Sequence, residues 1–149
     1  MRQLTRRGFE VAVFAGSLVL AGCAGSMSDS SKAHFTATLN GAAEVPAKAV
    51  PGTGSADVWL DKNSKTLTWT VAYGGLTGDA KAAHFHGPAA AGANAGVLVP
   101  ITISPSPMKG SAQLTDAQIA DLSTGKWYIN IHTAANPPGE IRGQVIAAP

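Results

Sequence analysis

The chain has 149 residues, of which 45% are hydrophobic and only 13% are charged, and its formal net charge is +2. Three of its eleven basic side chains fall in the first seven residues, and beyond residue 22 eight basic side chains balance eight acidic ones. This balance excludes a basic surface for nucleic acid, and the single Cys excludes an intrachain disulfide.

The first 22 residues predict a cleaved export signal rather than part of a folded domain. A start with three Arg is followed by the apolar run VAVFAGSLVLAG, which is too short to be a membrane-spanning helix. The segment LAGC at 20–23 resembles the lipobox of bacterial exported lipoproteins, which implies cleavage before Cys23 and lipidation of its sulfur. An ordinary signal peptide with an incidental Cys is the alternative.

The same region also bears on the export route and the destination. The segment TRRGF at 5–9 resembles a twin-arginine signal, although the next two residues depart from the usual continuation, so a generic basic start stays open. Ala24 stands where an Asp would imply retention at the inner membrane. We therefore expect an exported protein, anchored by its lipid to the outer membrane and facing the periplasm or the cell exterior. Residues 23–33 predict the lipidated Cys and a flexible tether of small polar residues.

Residues 34–149 predict one all-β domain, an antiparallel Greek-key-like sandwich or barrel. Apolar and polar residues alternate over most of this region, and Gly/Pro clusters separate the alternating segments. One short helix is expected at 115–123, where Thr115 and Gln118 form a capping box and Gly125 ends the helix. Pro100 favours an edge position for its strand. The predicted strands are 34–39, 55–60, 66–73, 97–103, 126–133 and 139–147.

Two of the four His residues stand one residue apart in the segment AKAAHFHGPA. On a strand, His84 and His86 would share one face while Phe85 points into the core. Two imidazoles alone do not hold a metal firmly, so the metal hypothesis depends on a third ligand. His132 near the end of WYINIHT is the candidate, and His34 beside the tether is expected to be an exposed bystander. An ordinary polar stripe on a solvated strand face is the alternative.

The loop TAANPPG predicts a symmetric hairpin between the last two strands. One face of the hairpin is then apolar and the other polar, and a shift of one residue would destroy this separation. The polar face would carry Asn130, Glu140 and Arg142 beside His132. The expected pairs are His132 with Glu140, Asn130 with Arg142, Tyr128 with Gln144, Ile131 with Ile141 and Trp127 with Val145.

Three neutral imidazoles without a thiolate suit copper or zinc better than calcium or magnesium. Copper fits an export compartment, and zinc is the alternative. The ligand nitrogens would have to converge within about 4 Å, twice a metal–nitrogen bond. Glu140 or Asn130 would accept an N–H from a ligating imidazole, and Arg142 would guide a small anion towards the ion. Met108, in a loop, is a weaker candidate ligand.

The region from 34 to 147 resembles a CHRD domain, the module named after chordin. The most specific matches are AHFHGP at 83–88 and the closing segments NIHT and NPPGEIRGQ. The resemblance implies an extracytoplasmic β domain and places the family's His pattern on His84, His86 and His132. His34 lies outside that pattern.

Three functions remain as hypotheses. The first is an extracytoplasmic copper protein, in which superoxide dismutation, by chemical analogy with copper superoxide dismutases, competes with copper binding, transfer or sequestration. The second is a non-metal interaction or structural module of the cell envelope, in which His86 and His132 bond loop carbonyls. The third is a zinc hydrolase, although neither a proton acceptor nor a substrate pocket is evident.

Overall fold

The computed structural model describes residues 30–149 and folds them into one eight-stranded antiparallel sheet that curls into a nearly closed barrel. The predicted signal at 1–22, the lipidation of Cys23 and the tether up to residue 29 lie outside these residues. The strands are β1 (Lys32–Asn40), β2 (Thr53–Asp61), β3 (Thr66–Gly74), β4 (Ala80–His86), β5 (Val97–Pro100), β6 (Met108–Gln113), β7 (Trp127–Thr133) and β8 (Ile141–Ala147).

The all-β class and the single α-helix are confirmed. Helix α1 (Asp116–Ser123) begins after the Thr115 cap, its capping box with Gln118 is present, and Gly125 follows it with a φ of +70°. A short 3-10 turn, Gly41–Ala43, follows β1. In the sheet the strands lie in the order β5-β4-β7-β8-β1-β2-β3-β6, so β5, which ends at Pro100, is an edge strand as predicted.

The structure differs from the prediction at several strand boundaries and contains one strand that was not predicted. β1 begins at Lys32, so the last two residues of the predicted tether belong to the barrel. β5 ends at Pro100 rather than at residue 103, although the Ile101 N–H still donates to the Ala83 carbonyl of β4. β6 was not predicted, since MKGSAQ has no β-branched residue, yet it pairs with β3 from Met108 opposite Val71 to Gln113 opposite Thr66.

The barrel interior holds the apolar face of each strand. Phe85 of β4 packs between the rings of Trp69 and Trp127, with ring centroids 5.1 and 5.9 Å away. Met108 is fully buried in this apolar cluster, so its proposed role as a soft metal ligand is wrong. The core explains why Phe85 points inward, which turns His84 and His86 to the outer face of the barrel.

The outer face of β4, β7 and β8 is polar but not solvated. Asn130, Glu140 and Arg142 are each at least 96% buried. Loop segments cover this face: the carbonyls of Ala93 and Ala89 accept hydrogen bonds from Arg142 and Gln144 of β8. The interpretation of this face as an ordinary solvated stripe is therefore wrong, because a second, polar layer lies between strands and loops.

Close packing of β8 on β1 depends on Gly143. A Cβ at this position would overlap the Thr38 backbone carbonyl, whereas a Cβ at Gly74 would meet nothing within 4 Å. We expect Gly143→Ala to lower the free energy of unfolding by about 1–3 kcal/mol, since a backbone atom cannot move aside cheaply. Gly74→Ala is the matched control and should change it by no more than about 0.5 kcal/mol. Urea denaturation of both variants tests this, and equal losses would contradict it.

Candidate metal centre

The strand that carries the first two imidazoles lies beside the strand that carries the third. β4 pairs with β7 antiparallel, with Ala82 opposite His132, His84 opposite Asn130 and His86 opposite Tyr128. Side chains of directly opposed and diagonal residues on one face are within reach of each other. The pairing therefore places three His side chains on one outer patch of the barrel.

The three imidazoles form a group that could hold a metal ion. One ligand nitrogen from each of His84, His86 and His132 lies within 4.8 Å of the others, and His84 Nδ1 lies 3.2 Å from His132 Nε2. Nitrogens that bind one ion must lie within about 4 Å of one another, and the distance between His84 and His132 meets this requirement. The largest distance in the group of three exceeds it by less than an ångström. Side-chain rotation on this scale would bring all three nitrogens to one ion.

Loop carbonyls orient two of the rings. His132 Nδ1 lies 2.9 Å from the Pro137 carbonyl oxygen, and His86 Nδ1 lies 3.0 Å from that of Ala95. A neutral imidazole that donates one N–H to a carbonyl keeps the lone pair of its other nitrogen for an ion. The Pro137 contact therefore leaves His132 Nε2, the nitrogen that faces His84, as the ligand atom.

The surroundings of His84 and His86 favour the neutral form of each ring. Burial lowers the pKa of His84, and the neighbouring His132 and His86 lower it further. Burial also lowers the pKa of His86, where it outweighs the contacts to Ala95 and Asn130 that favour the protonated ring. Neutral imidazole is the metal-binding form, so the lowered pKa of both rings favours the form that can bind an ion.

Of the two predicted supporting residues, Asn130 contacts the group and Glu140 does not. Asn130 Oδ1 lies 3.0 Å from His86 Nε2. Glu140 accepts hydrogen bonds at 2.6–3.1 Å from Thr77, Thr133 and Asn136 instead. Burial alone would raise the pKa of Glu140, but these hydrogen bonds outweigh it and lower the pKa. The carboxylate thus fastens the loop that carries Pro137 rather than an imidazole.

Arg142 lies in the polar layer but is not open to an incoming anion. It is 1% exposed, and its Nη1 and Nη2 donate to Asn94 Oδ1 and to the Ala93 carbonyl at 2.9 and 2.6 Å. Its guanidinium carbon lies 3.5 Å from the centre of the Tyr128 ring, and the His86 ring stacks on that tyrosine at 4.8 Å. These contacts make Arg142 a support for the covering loop and for Tyr128.

Two supporting residues were not assigned a role from the sequence. Tyr128 was expected only as a partner of Gln144, and its hydroxyl in fact donates to the Ala95 carbonyl that also contacts His86. Glu44 is 94% buried, and its Oε1 has no hydrogen-bond partner. Glu44 directly follows the 3-10 turn and stands two residues before a proline, and this position gave no indication that its side chain lies near Asn130.

His34 is separate from the group, as expected. Its ring stacks on Trp59 with centroids 4.0 Å apart, and its Nε2 lies 3.2 Å from Asp57 Oδ1. Within residues 30–149 it is therefore a matched control for substitutions in the metal-binding group, because it is also a strand histidine with a ring contact and one polar partner.

Comparison with known proteins yields one match. A family model for the CHRD domain matches residues 35–145, which is well over half of the chain and includes all three clustered His residues. No curated protein and no solved structure matches the chain. Within the described part of the chain, no helix has the length and apolar character needed to cross a membrane.

Proposed function

The chain belongs to the CHRD family, and we propose that it is an exported copper-binding protein that holds one ion on His84, His86 and His132. The convergence of three imidazoles from two adjacent strands carries this proposal. Imidazoles without a thiolate or a carboxylate in the set favour copper or zinc over calcium and magnesium. We favour copper because low-coordinate His sites suit it and because the ion is available outside the cytoplasm.

The export proposal rests on the sequence before the barrel. A signal at 1–22, lipidation of Cys23 and a short tether would attach the domain to the outer membrane, facing the periplasm or the exterior. The barrel begins at Lys32, so only eight residues would separate its first strand from the lipidated Cys. In this position the domain would exchange copper with a donor or acceptor protein of the envelope.

Copper binding, transfer or sequestration is favoured over superoxide dismutation. Bound copper supplies one-electron exchange, but a dismutase also needs a cation that the superoxide anion can approach. Arg142, the candidate for that role, is buried and its terminal nitrogens are bonded to the covering loop. The polar layer therefore supports holding the ion better than steering an anion.

We expect the copper-loaded protein to remove superoxide no faster than the same concentration of free copper ions. Pulse radiolysis or stopped-flow decay measures this directly. A faster decay that slows as ionic strength rises would contradict the assignment, because salt dependence is the signature of anion guidance by a fixed charge. The ionic-strength series avoids substitution of a buried arginine, which would disturb the fold.

A non-metal interaction module is the second candidate, and two contacts favour it. It predicts that His86 and His132 bond loop carbonyls, and both do, through Ala95 and Pro137. In that case the imidazoles would hold the loops in place for a protein partner. Copper retention distinguishes the two candidates, because the interaction module predicts that the protein holds no copper after desalting. If the protein is an interaction module, loss of His132 would change only the order of the loops.

A further inference from the structure

His86 differs from the other two candidate ligands in that both of its ring nitrogens are engaged. Nδ1 lies 3.0 Å from the Ala95 carbonyl oxygen and Nε2 lies 3.0 Å from Asn130 Oδ1. The ring is also 92% buried and stacks parallel to Tyr128, at an angle of 2°. The neutral ring has one N–H, which it donates to the Ala95 carbonyl, and the Asn130 side chain occupies the position in front of Nε2. Asn130 must therefore move before His86 Nε2 can bind an ion.

His84 and His132 can bind an ion without any movement of Asn130. Their facing nitrogens lie 3.2 Å apart, and the remaining nitrogen of His132 is already oriented by Pro137. Both rings are only partly buried. Because His132 Nδ1 donates to the Pro137 carbonyl, the proton between the two facing nitrogens lies on His84 Nδ1. If that proton moved through water to His84 Nε2, the ring would stay neutral and both facing nitrogens would offer a lone pair, and an arriving ion would be held there first.

The side chain that contacts His86 has a second partner within reach. A Cβ placed on Gly139 would overlap Glu44 Oε1 and lie 2.9 Å from Asn130 Nδ2, so these two atoms flank the same point. Glu44 Oε1 is buried and has no hydrogen-bond partner. A buried acceptor without a partner costs about 1–3 kcal/mol, so a turn of the Asn130 amide towards Glu44 would recover part of that cost.

We propose that the site binds an ion first on His84 and His132, and that His86 becomes the third ligand only when the Asn130 amide turns from His86 towards Glu44. This inference rests on the proposed function and specifies how the same site is regulated. The Ala95 carbonyl would then retain the His86 Nδ1–H and orient Nε2 towards the ion, as a backbone acceptor does for many metal-binding histidines.

The movement of Asn130 between His86 and Glu44 would discriminate between ions by the number of ligands that each ion requires. Cuprous copper is stable with two imidazole ligands and would bind without moving Asn130. Zinc requires at least three protein ligands and completes a tetrahedron, so it would have to break the Asn130 contact. Glu44 and Asn130 would then be positioning residues that affect the affinity for zinc more than the affinity for the cuprous ion.

The test compares the affinities of the full-length protein for zinc and for cuprous copper, each measured by competition with a chromophoric chelator. We expect Asn130→Ala to strengthen zinc binding about fivefold to tenfold and Glu44→Ala to weaken it by a similar factor. The affinity for cuprous copper should change by a smaller factor than the affinity for zinc in both variants. Variants with opposite effects on one ion are not explained by a general loss of structure, and either variant alone keeps the test valid if the other does not fold.

Two histidine variants separate this inference from the proposed function. His86→Ala should weaken zinc binding at least about tenfold and cuprous binding by a smaller factor, whereas His84→Ala should weaken the binding of both ions to a similar extent. Equal losses of both ions in His86→Ala, or weaker zinc binding in Asn130→Ala, would overturn the inference while leaving a metal site in place. Absence of binding of either ion by the wild-type protein would instead overturn the proposed function.

Discussion

His132→Ala is expected to weaken copper binding by more than about 100-fold. Loss of a supporting residue near a metal typically costs 10–100-fold, and loss of a ligand should exceed that. His132 is the only ligand on β7, and its Nε2 lies 3.2 Å from His84 Nδ1, so without it no second lone pair faces His84 from across the strand pair. Competition of the purified protein with a copper chelator gives the affinity.

His34→Ala is the matched control for this variant. It removes a strand histidine that stacks on Trp59 and contacts Asp57, outside the metal-binding group. It should leave copper affinity within about twofold, since no ligand or supporting contact is lost. If the two variants bind copper equally well, His132 is not a ligand and the three-His assignment is wrong.

Glu140→Ala is expected to lower the free energy of unfolding by about 3–5 kcal/mol. The carboxylate is fully buried and accepts hydrogen bonds from the Thr77 N–H and from the side chains of Thr77, Thr133 and Asn136. Removal of the shared acceptor takes a partner from all four donors, and the Thr133 hydroxyl among them is buried. Urea denaturation measures the loss.

The effect of Glu140 should depend on pH in a defined direction. The folded protein lowers the pKa of this carboxyl below its usual value of 4.5, so the stabilisation is complete above that pH and is lost as the pH falls through the folded-state pKa. The difference between wild type and Glu140→Ala should therefore shrink in acid.

Asp116→Ala is the control for the carboxylate, because Asp116 forms a surface pair with Lys65 and is 82% exposed. It should change stability by less than about 1 kcal/mol. A loss below about 1 kcal/mol for Glu140→Ala at neutral pH would show that the carboxylate does not fasten the loop.

The sequence was most informative where strands are close in the chain. The β7–β8 register was predicted pair by pair, because only one alignment puts Ile131 and Trp127 on the face of Ile141 and Val145. Alternation also placed His84 and His86 on one face. The pairing of β4 with β7 joins segments more than forty residues apart, and no local pattern specifies it.

The predictions for Glu140 and Arg142 were wrong for physical reasons that can be identified. Glu140 was expected to face His132, but β8 begins only at Ile141 and Gly139 has a φ of +137°, so strand alternation does not determine the direction of the Glu140 side chain. Arg142 was predicted on the correct face, yet its burial depends on the loop that includes Ala93 and Asn94. How a Gly/Ala-rich loop folds over a sheet is not encoded in residue periodicity.

The copper content of the purified protein tests the central claim most directly. Protein exposed to one equivalent of copper, desalted and analysed by elemental mass spectrometry should retain about one copper ion per chain, and the His84→Ala/His132→Ala double variant should retain almost none. Wild-type protein that loses its copper on desalting, or a double variant that retains as much, would contradict a metal site on His84, His86 and His132.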